Sequence, residues 1–115
     1  MGSVAIRPPE NYAELVDGAA IAVTGDAPTA GLYAFIHLFV RDTAELEAML
    51  PGLEPRLSES GIIWVSWPKK TSAMFKDLTE DGIRAVALPM GLVDVKVAAV
   101  DEDWSGLKLV RRKAG

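Results

Sequence analysis

The sequence predicts a single α/β domain built on a mostly parallel sheet of about six strands, in the order 2-1-3-4-6-5, with the last strand antiparallel. Three observations predict it. Two near-continuous apolar runs, Leu32 to Val40 and Ile62 to Trp67, have the composition of strands buried on both faces of a parallel sheet. Segments of helical period stand between strands, as parallel crossovers require. The C-terminal part alternates apolar and polar residues on either side of an acidic turn, which is hairpin patterning.

The elements follow in order. Val4 to Ile6 forms a short first strand that Pro8 and Pro9 end, because proline has no N–H for a sheet ladder. Tyr12, Leu15 and Val16 then fall at helical spacing with Asn11 as a cap, which predicts one or two helical turns. Ala19 to Thr24 is a strand of small residues, and Gly25 to Gly31 is turn chemistry. After the Leu32 to Val40 strand, Asp42 with Glu45 three residues later forms a helix start, with a carboxylate at the positive end of the dipole. Leu46, Met49, Leu50, Leu53 and Leu57 make its buried stripe, and Pro51 and Pro55 leave open one kinked helix or two short pieces. Ser58 to Gly61 closes this element before the Ile62 to Trp67 strand. Asp77 or Thr79 caps a helix with Glu80 and Asp81 in its first turn, Ile83, Val86, Ala87 and Met90 facing inward, and Gly91 as its stop. Val93 to Val100 and Gly106 to Arg112 form the hairpin, around a turn from Asp101 to Ser105.

Composition bounds the function. The chain has 115 residues, 50% of them apolar, which is one small domain spanning 1–115 with a single core. Met1, Gly2 and Ser3 carry no structural weight in this reading. The absence of cysteine excludes disulfide scaffolds, zinc-thiolate sites and thiol catalysis, and fits a reducing compartment. Arg7 to Glu10 interrupt the first apolar stretch, so no secretory signal is read, and no run reaches the roughly 18 apolar residues of a membrane helix. A cytoplasmic protein that does not associate with membranes is expected. A net charge of −4 argues against nucleic-acid binding. Homodimer pairing through an edge such as Ala19 to Val23 is open.

Candidate site residues cluster after the second apolar strand. Lys69, Lys70, Thr71 and Ser72 offer charge and hydroxyl donors beside a helix start, which suits a phosphate or carboxylate. The structural alternative is a solvated loop, or lysines clamped by Asp101 across the sheet edge. Trp67 and Trp104 are placed either to flank a flat ligand or to seal the end of the core, and the bond before Pro68 is a candidate cis peptide. The ligand set is therefore Trp67, Lys69, Lys70, Ser72, Asp101 and Trp104. Asp101, Glu102 and Asp103 lack the spacing of a calcium loop, so no metal site is assigned. His37, the only histidine, lies mid-strand and reads as a hydrogen-bonded core residue. The C-terminal Lys108, Arg111, Arg112 and Lys113 read as a solubilising edge. No nucleophile, base or phosphate-loop fingerprint emerges, and no catalytic residue is assigned.

The strings FIHLFVRD at Phe35, WVSWPKK at Trp64, DLTED at Asp77, GLVDVKV at Gly91 and DEDWSGLKLVRR at Asp101 resemble the small bacterial proteins of domain-of-unknown-function family 3052, over about Val4 to Lys113. That family implies no activity, substrate or cofactor. More distantly, Tyr33 to Arg112 is similar to the C-terminal half of Rossmann-like methyltransferases, which implies a three-layer Rossmann-like fold. In that superfamily the first strand runs into a glycine-rich turn that approaches S-adenosylmethionine. The matching turn here is Arg7, Pro8 and Pro9, and two prolines cannot give the close approach and free N–H groups of glycine. No cofactor is therefore expected. The resulting functional expectation is a non-catalytic interaction or regulatory module, with a small-ligand or anion-binding domain using the lysine loop as the alternative.

Overall fold

The computed structural model describes residues 2–9, 21–25, 28, 30–100 and 102–111. Its sheet has six strands in the predicted order β2-β1-β3-β4-β6-β5. These are β1 (Gly2–Ile6), β2 (Ala22–Thr24), β3 (Tyr33–Phe39), β4 (Leu57–Pro68), β5 (Leu92–Ala99) and β6 (Trp104–Arg111). β1 pairs in parallel with both β2 and β3, and β3 in parallel with β4, whereas β6 runs antiparallel to β4 and β5. Gly2 and Ser3 belong to β1, pairing with Tyr33 and Phe35, so the strand starts earlier than the apolar pattern indicated. The expected helix from Asn11 lies outside the described residues. β2 forms one edge of the sheet, with Ala22 and Val23 exposed.

Two helices cover one face. α1 (Thr43–Leu53) is capped as predicted, Asp42 Oδ1 accepting from the Glu45 N–H at 2.9 Å. It continues through Pro51, which sits in the last turn, and the following piece, Glu54–Arg56, is a 3-10 turn with Pro55 in it. α2 (Glu80–Ala87) is capped by Thr79, whose Oγ1 accepts from the Gly82 N–H at 3.2 Å. Asp77, the other candidate cap, turns the opposite way and accepts from the Thr43 N–H at 3.0 Å, so it supports α1. A 3-10 turn, Leu88–Met90, ends at Gly91, which takes the left-handed φ of 83° that the sequence assigned to a stop. Leu46, Leu50, Leu53, Ile83 and Ala87 pack with Ile36, Leu38, Ile63, Val65, Leu107 and Leu109 in the main core. At roughly 25 cal/mol per Å² of apolar surface removed from water, each fully buried leucine contributes about 2 kcal/mol. The opposite face carries a smaller cluster of Ala5, Phe39 and Trp104.

β4 begins at Leu57, the residue read as the end of the helical stripe, and not after Gly61. Tyr33 pairs with Leu57 but Phe35 with Ile62, so β4 bulges between them. A Cβ on Gly61 would stand 2.6 Å from Leu57 Cδ1, and the bulge closes only over glycine. Arg111 ties it down from β6: its guanidinium donates to the carbonyls of Glu54, Leu57 and Ser58, and its Nε to Glu54 Oε1 at 3.1 Å. The residue read as part of a solubilising tail is thus a cap for a 3-10 turn and a bulge. No helix among the described residues is long and apolar enough to cross a membrane.

Candidate functional site

Because β1, β3 and β4 are parallel, their C-terminal ends share one edge of the sheet, and the antiparallel β6 starts there too. Trp67 pairs with Ser105 and Pro68 with Trp104. Beyond Pro68 the Lys69 N–H donates to the Asp103 carbonyl at 2.8 Å, extending the contact by one residue before the chain leaves the sheet. The lysine loop therefore starts from a fixed point.

A cavity of about 310 Å³ opens beside it, between the end of β4 and the first turn of α2. Trp67 and Leu78 form its apolar wall, Lys69 and Lys70 stand on one side, and Thr79, Glu80, Asp81 and Ser105 complete it. The acids are already engaged. Arg84 Nη1 lies 2.8 Å from Glu80 and 3.0 Å from Asp81, and its Nε bonds Asp94 at 2.9 Å. Hydrogen bonds to Asp94 first, then Glu80, raise the Arg84 pKa above its ordinary value. Lys69 and Lys70 form no ion pair among the described residues, so they are the cations of the cavity that no carboxylate engages. The first N–H groups of α2 have no intrahelical acceptor, which adds donors on the same side.

The structure brings together Trp67, Lys69 and Lys70 of the residues singled out by the sequence, and sets Ser72 and Trp104 apart from them. Ser72 accepts from the Met74 N–H at 3.1 Å, so its hydroxyl shapes its own loop. Trp104 is 2% exposed and lies on the opposite face of the sheet, edge-on to Phe39 at 5.1 Å and under the Arg41 guanidinium at 5.6 Å. It cannot flank a ligand with Trp67, since residues one step out of register face opposite ways. Asp101 lies outside the described residues, so the expected clamp falls there too. The peptide bond before Pro68 is trans. Leu78, Thr79 and Ser105 were not anticipated: Thr79 read as a helix cap and Ser105 as turn, Leu78 was given no role, and only the register sets Ser105 beside Trp67.

His37 is a buried core residue, as read. Its Nε2 is 2.7 Å from Ser66 Oγ and its ring stacks on Phe39 at 4.3 Å. Burial pushes its pKa down from 6.5 to about 4, so it is neutral at pH 7.

The turn after β1 differs in chemistry from this cavity. Arg7 has the left-handed φ of 55°, its N–H donates to the Thr24 carbonyl and its Nε to the Gly25 carbonyl, both at 2.8 Å. Pro8 and Pro9 have no N–H at all. Three successive residues thus offer no free backbone donor.

Solved structures share this architecture. The chain is similar to the magnesium protoporphyrin IX methyltransferase ChlM from Synechocystis PCC 6803 with bound SAH, at 17% identity and a TM-score of 0.63, over 89% of this chain and 57% of that one. It is similar to a ribosomal protein methylase from Lactobacillus delbrueckii subsp. bulgaricus, at 15% identity and a TM-score of 0.61, over 97% of this chain and 59% of that one. LepI in complex with SAM matches at 11% identity and a TM-score of 0.61, over 96% of this chain and 36% of that one. The chain therefore spans less than two thirds of these proteins, and at such identities the likeness is one of fold: a Rossmann-like methyltransferase fold. No protein-family model and no curated protein matches, so the resemblance to family 3052 has no support. The expectation of a non-catalytic interaction or regulatory module is overturned by these neighbours. That expectation rested on the missing glycine turn, which is one feature of a sheet otherwise shared with methyltransferases.

Proposed function

We propose that this chain is the ligand-binding core of an enzyme of the methyltransferase type, and that the cavity between β4 and α2 holds a small anionic substrate. The observation that carries this reading is the pair of unengaged lysines in the cavity wall. Glu80 and Asp81 turn to Arg84, and neither pairs with Lys69 or Lys70, whose ammonium groups are left for an incoming anion. Trp67 and Leu78 exclude water from one wall and receive the apolar part of the ligand. Thr79 Oγ1 already accepts from Gly82, so its hydroxyl is left as a donor, and Ser105 offers a second. The location at the C-terminal edge of a parallel sheet agrees with where open α/β folds place ligands. A cytoplasmic setting, consistent with a chain that has no cysteine, is part of the same proposal.

SAM does not fit the turn after β1 in the glycine-turn manner, since Arg7 has spent its N–H and Pro8 and Pro9 have none. No step is assigned to it. What these residues do is draw in an anion, orient it with hydroxyls and shield one side from water.

Thermal shift against SAM, SAH and small carboxylates, none of which carries a phosphate, tests the reading. A ligand at 100 times its Kd stabilises the native state by about 2.7 kcal/mol, which in a domain of this size raises Tm by on the order of 10 °C. The shift is expected to vanish in Lys69→Ala plus Lys70→Ala with the fold intact. A panel without any shift, or a shift indifferent to both lysines, refutes the cavity as the site.

A further inference from the structure

β1 and β3 are adjacent, with β2 on one side of them and β4 on the other, so the crevice beyond their C-terminal ends is the switch point of the sheet. Two arginines stand there, Arg7 directly after β1 and Arg41 shortly after β3, and both lean on Glu45 in the first turn of α1. Arg7 Nη1 is 3.5 Å and Arg41 Nη1 is 3.7 Å from Glu45 Oε1. That oxygen is fully buried and accepts no hydrogen bond among the described residues. Glu45 therefore acts as a counter-charge between two guanidinium groups without consuming their donors, since both distances exceed a hydrogen bond.

The remaining groups nearby are committed elsewhere. Asp42 accepts from the Glu45 N–H with Oδ1 and faces Lys76 Nζ at 3.5 Å with Oδ2. Arg7 is anchored through its N–H and Nε, and Arg41 lies over the Trp104 ring, yet their side chains stay 42% and 40% exposed. Two partly exposed guanidinium groups against one carboxylate leave one net positive charge among these three groups. Arg7 holds this position with a left-handed φ of 55°, a conformation that side chains other than glycine seldom adopt without a compensating role.

We infer that this crevice binds a phosphate group, as the free ion or a phosphomonoester, in place of the glycine-turn contact that the prolines rule out. A planar carboxylate presents one pair of oxygens and suits one guanidinium fork. A tetrahedral dianion offers separate edges to two forks arriving from different strands, and its charge matches a site that is already net positive. The site is separate from the lysine cavity and does not depend on that proposal.

Titration calorimetry with inorganic phosphate, against acetate at equal ionic strength, tests it in the Lys69→Ala plus Lys70→Ala protein, where the lysine cavity takes no anion. Phosphate is expected to bind and acetate not. Arg41→Gln is expected to weaken phosphate at least tenfold and Arg41→Lys to restore only part of the loss, as a point charge lacks the fork. Glu45→Gln is expected to tighten phosphate several-fold by removing the counter-charge, which a purely structural ion pair would not do. Absence of phosphate binding overturns the inference. So does binding that survives Arg41→Gln or binding that is weakened by Glu45→Gln in a folded protein. Arg7→Gln, anchored less firmly, serves as a second variant whose fold is checked by circular dichroism.

Discussion

Acidification should destabilise this protein through His37 before carboxylate protonation becomes important. The folded pKa is lowered to about 4 against 6.5 in the unfolded chain, with burial as the cause. The unfolded state therefore takes up a proton that the folded state refuses. The stabilising contribution is complete above pH 6.5 and is lost as pH falls through the folded pKa. With those two values, the loss relative to pH 7 is about 2 kcal/mol at pH 5 and about 3 kcal/mol at pH 4. That is a large part of the 5–15 kcal/mol typical of a domain. Urea unfolding at pH 7, 5 and 4 measures it, with His37→Gln as the reference, since glutamine does not titrate while carboxylate effects are common to both proteins. The wild type should lose about 2 kcal/mol more than the variant between pH 7 and 5. Parallel pH profiles for the two proteins would show that the ring is not buried neutral against Ser66 and Phe39, and would refute the reasoning.

Arg111→Ala removes the guanidinium donor from the carbonyls of Glu54, Leu57 and Ser58, of which Glu54 keeps its bond from the Leu57 N–H, and by the usual cost of part-buried hydrogen bonds should destabilise by about 2–4 kcal/mol in urea unfolding; Arg111→Lys should recover less than half, because an ammonium cannot span the same fork. Gly91→Ala meets open space, with nothing within 4 Å of the added Cβ, so its cost comes from the backbone alone. At φ 83° this should be about 1–2 kcal/mol, read as a fall in Tm with no change in m-value.

Much of the architecture was legible because it follows from local chemistry and chain chirality. The apolar runs of β3 and β4 announce buried strands, Asp42 and Gly91 act on their immediate neighbours, and right-handed crossovers restrict the strand order to few choices. The candidate site was only partly legible. Trp67, Lys69 and Lys70 leave the sheet where a strand ends, and the sequence located that point. Trp104 was assigned to the same site because turn boundaries are uncertain by a residue, and one residue of register decides the face of a sheet.

The sequence by itself determined the alternation of strands and helices, the caps, and the edge at which functional groups collect, since each depends on residues within a few positions of one another. Only the tertiary structure decided which distant groups meet. It set Asp77 on α1 and not on α2, bound Arg111 to carbonyls more than fifty residues away, gathered Glu80, Asp81 and Asp94 around Arg84, and closed Arg7 and Arg41 around Glu45. The physical reason is that charge pairing and hydrogen bonding act over a few ångströms in space. Neighbours at that range are chosen by sheet order and register, which no local pattern encodes.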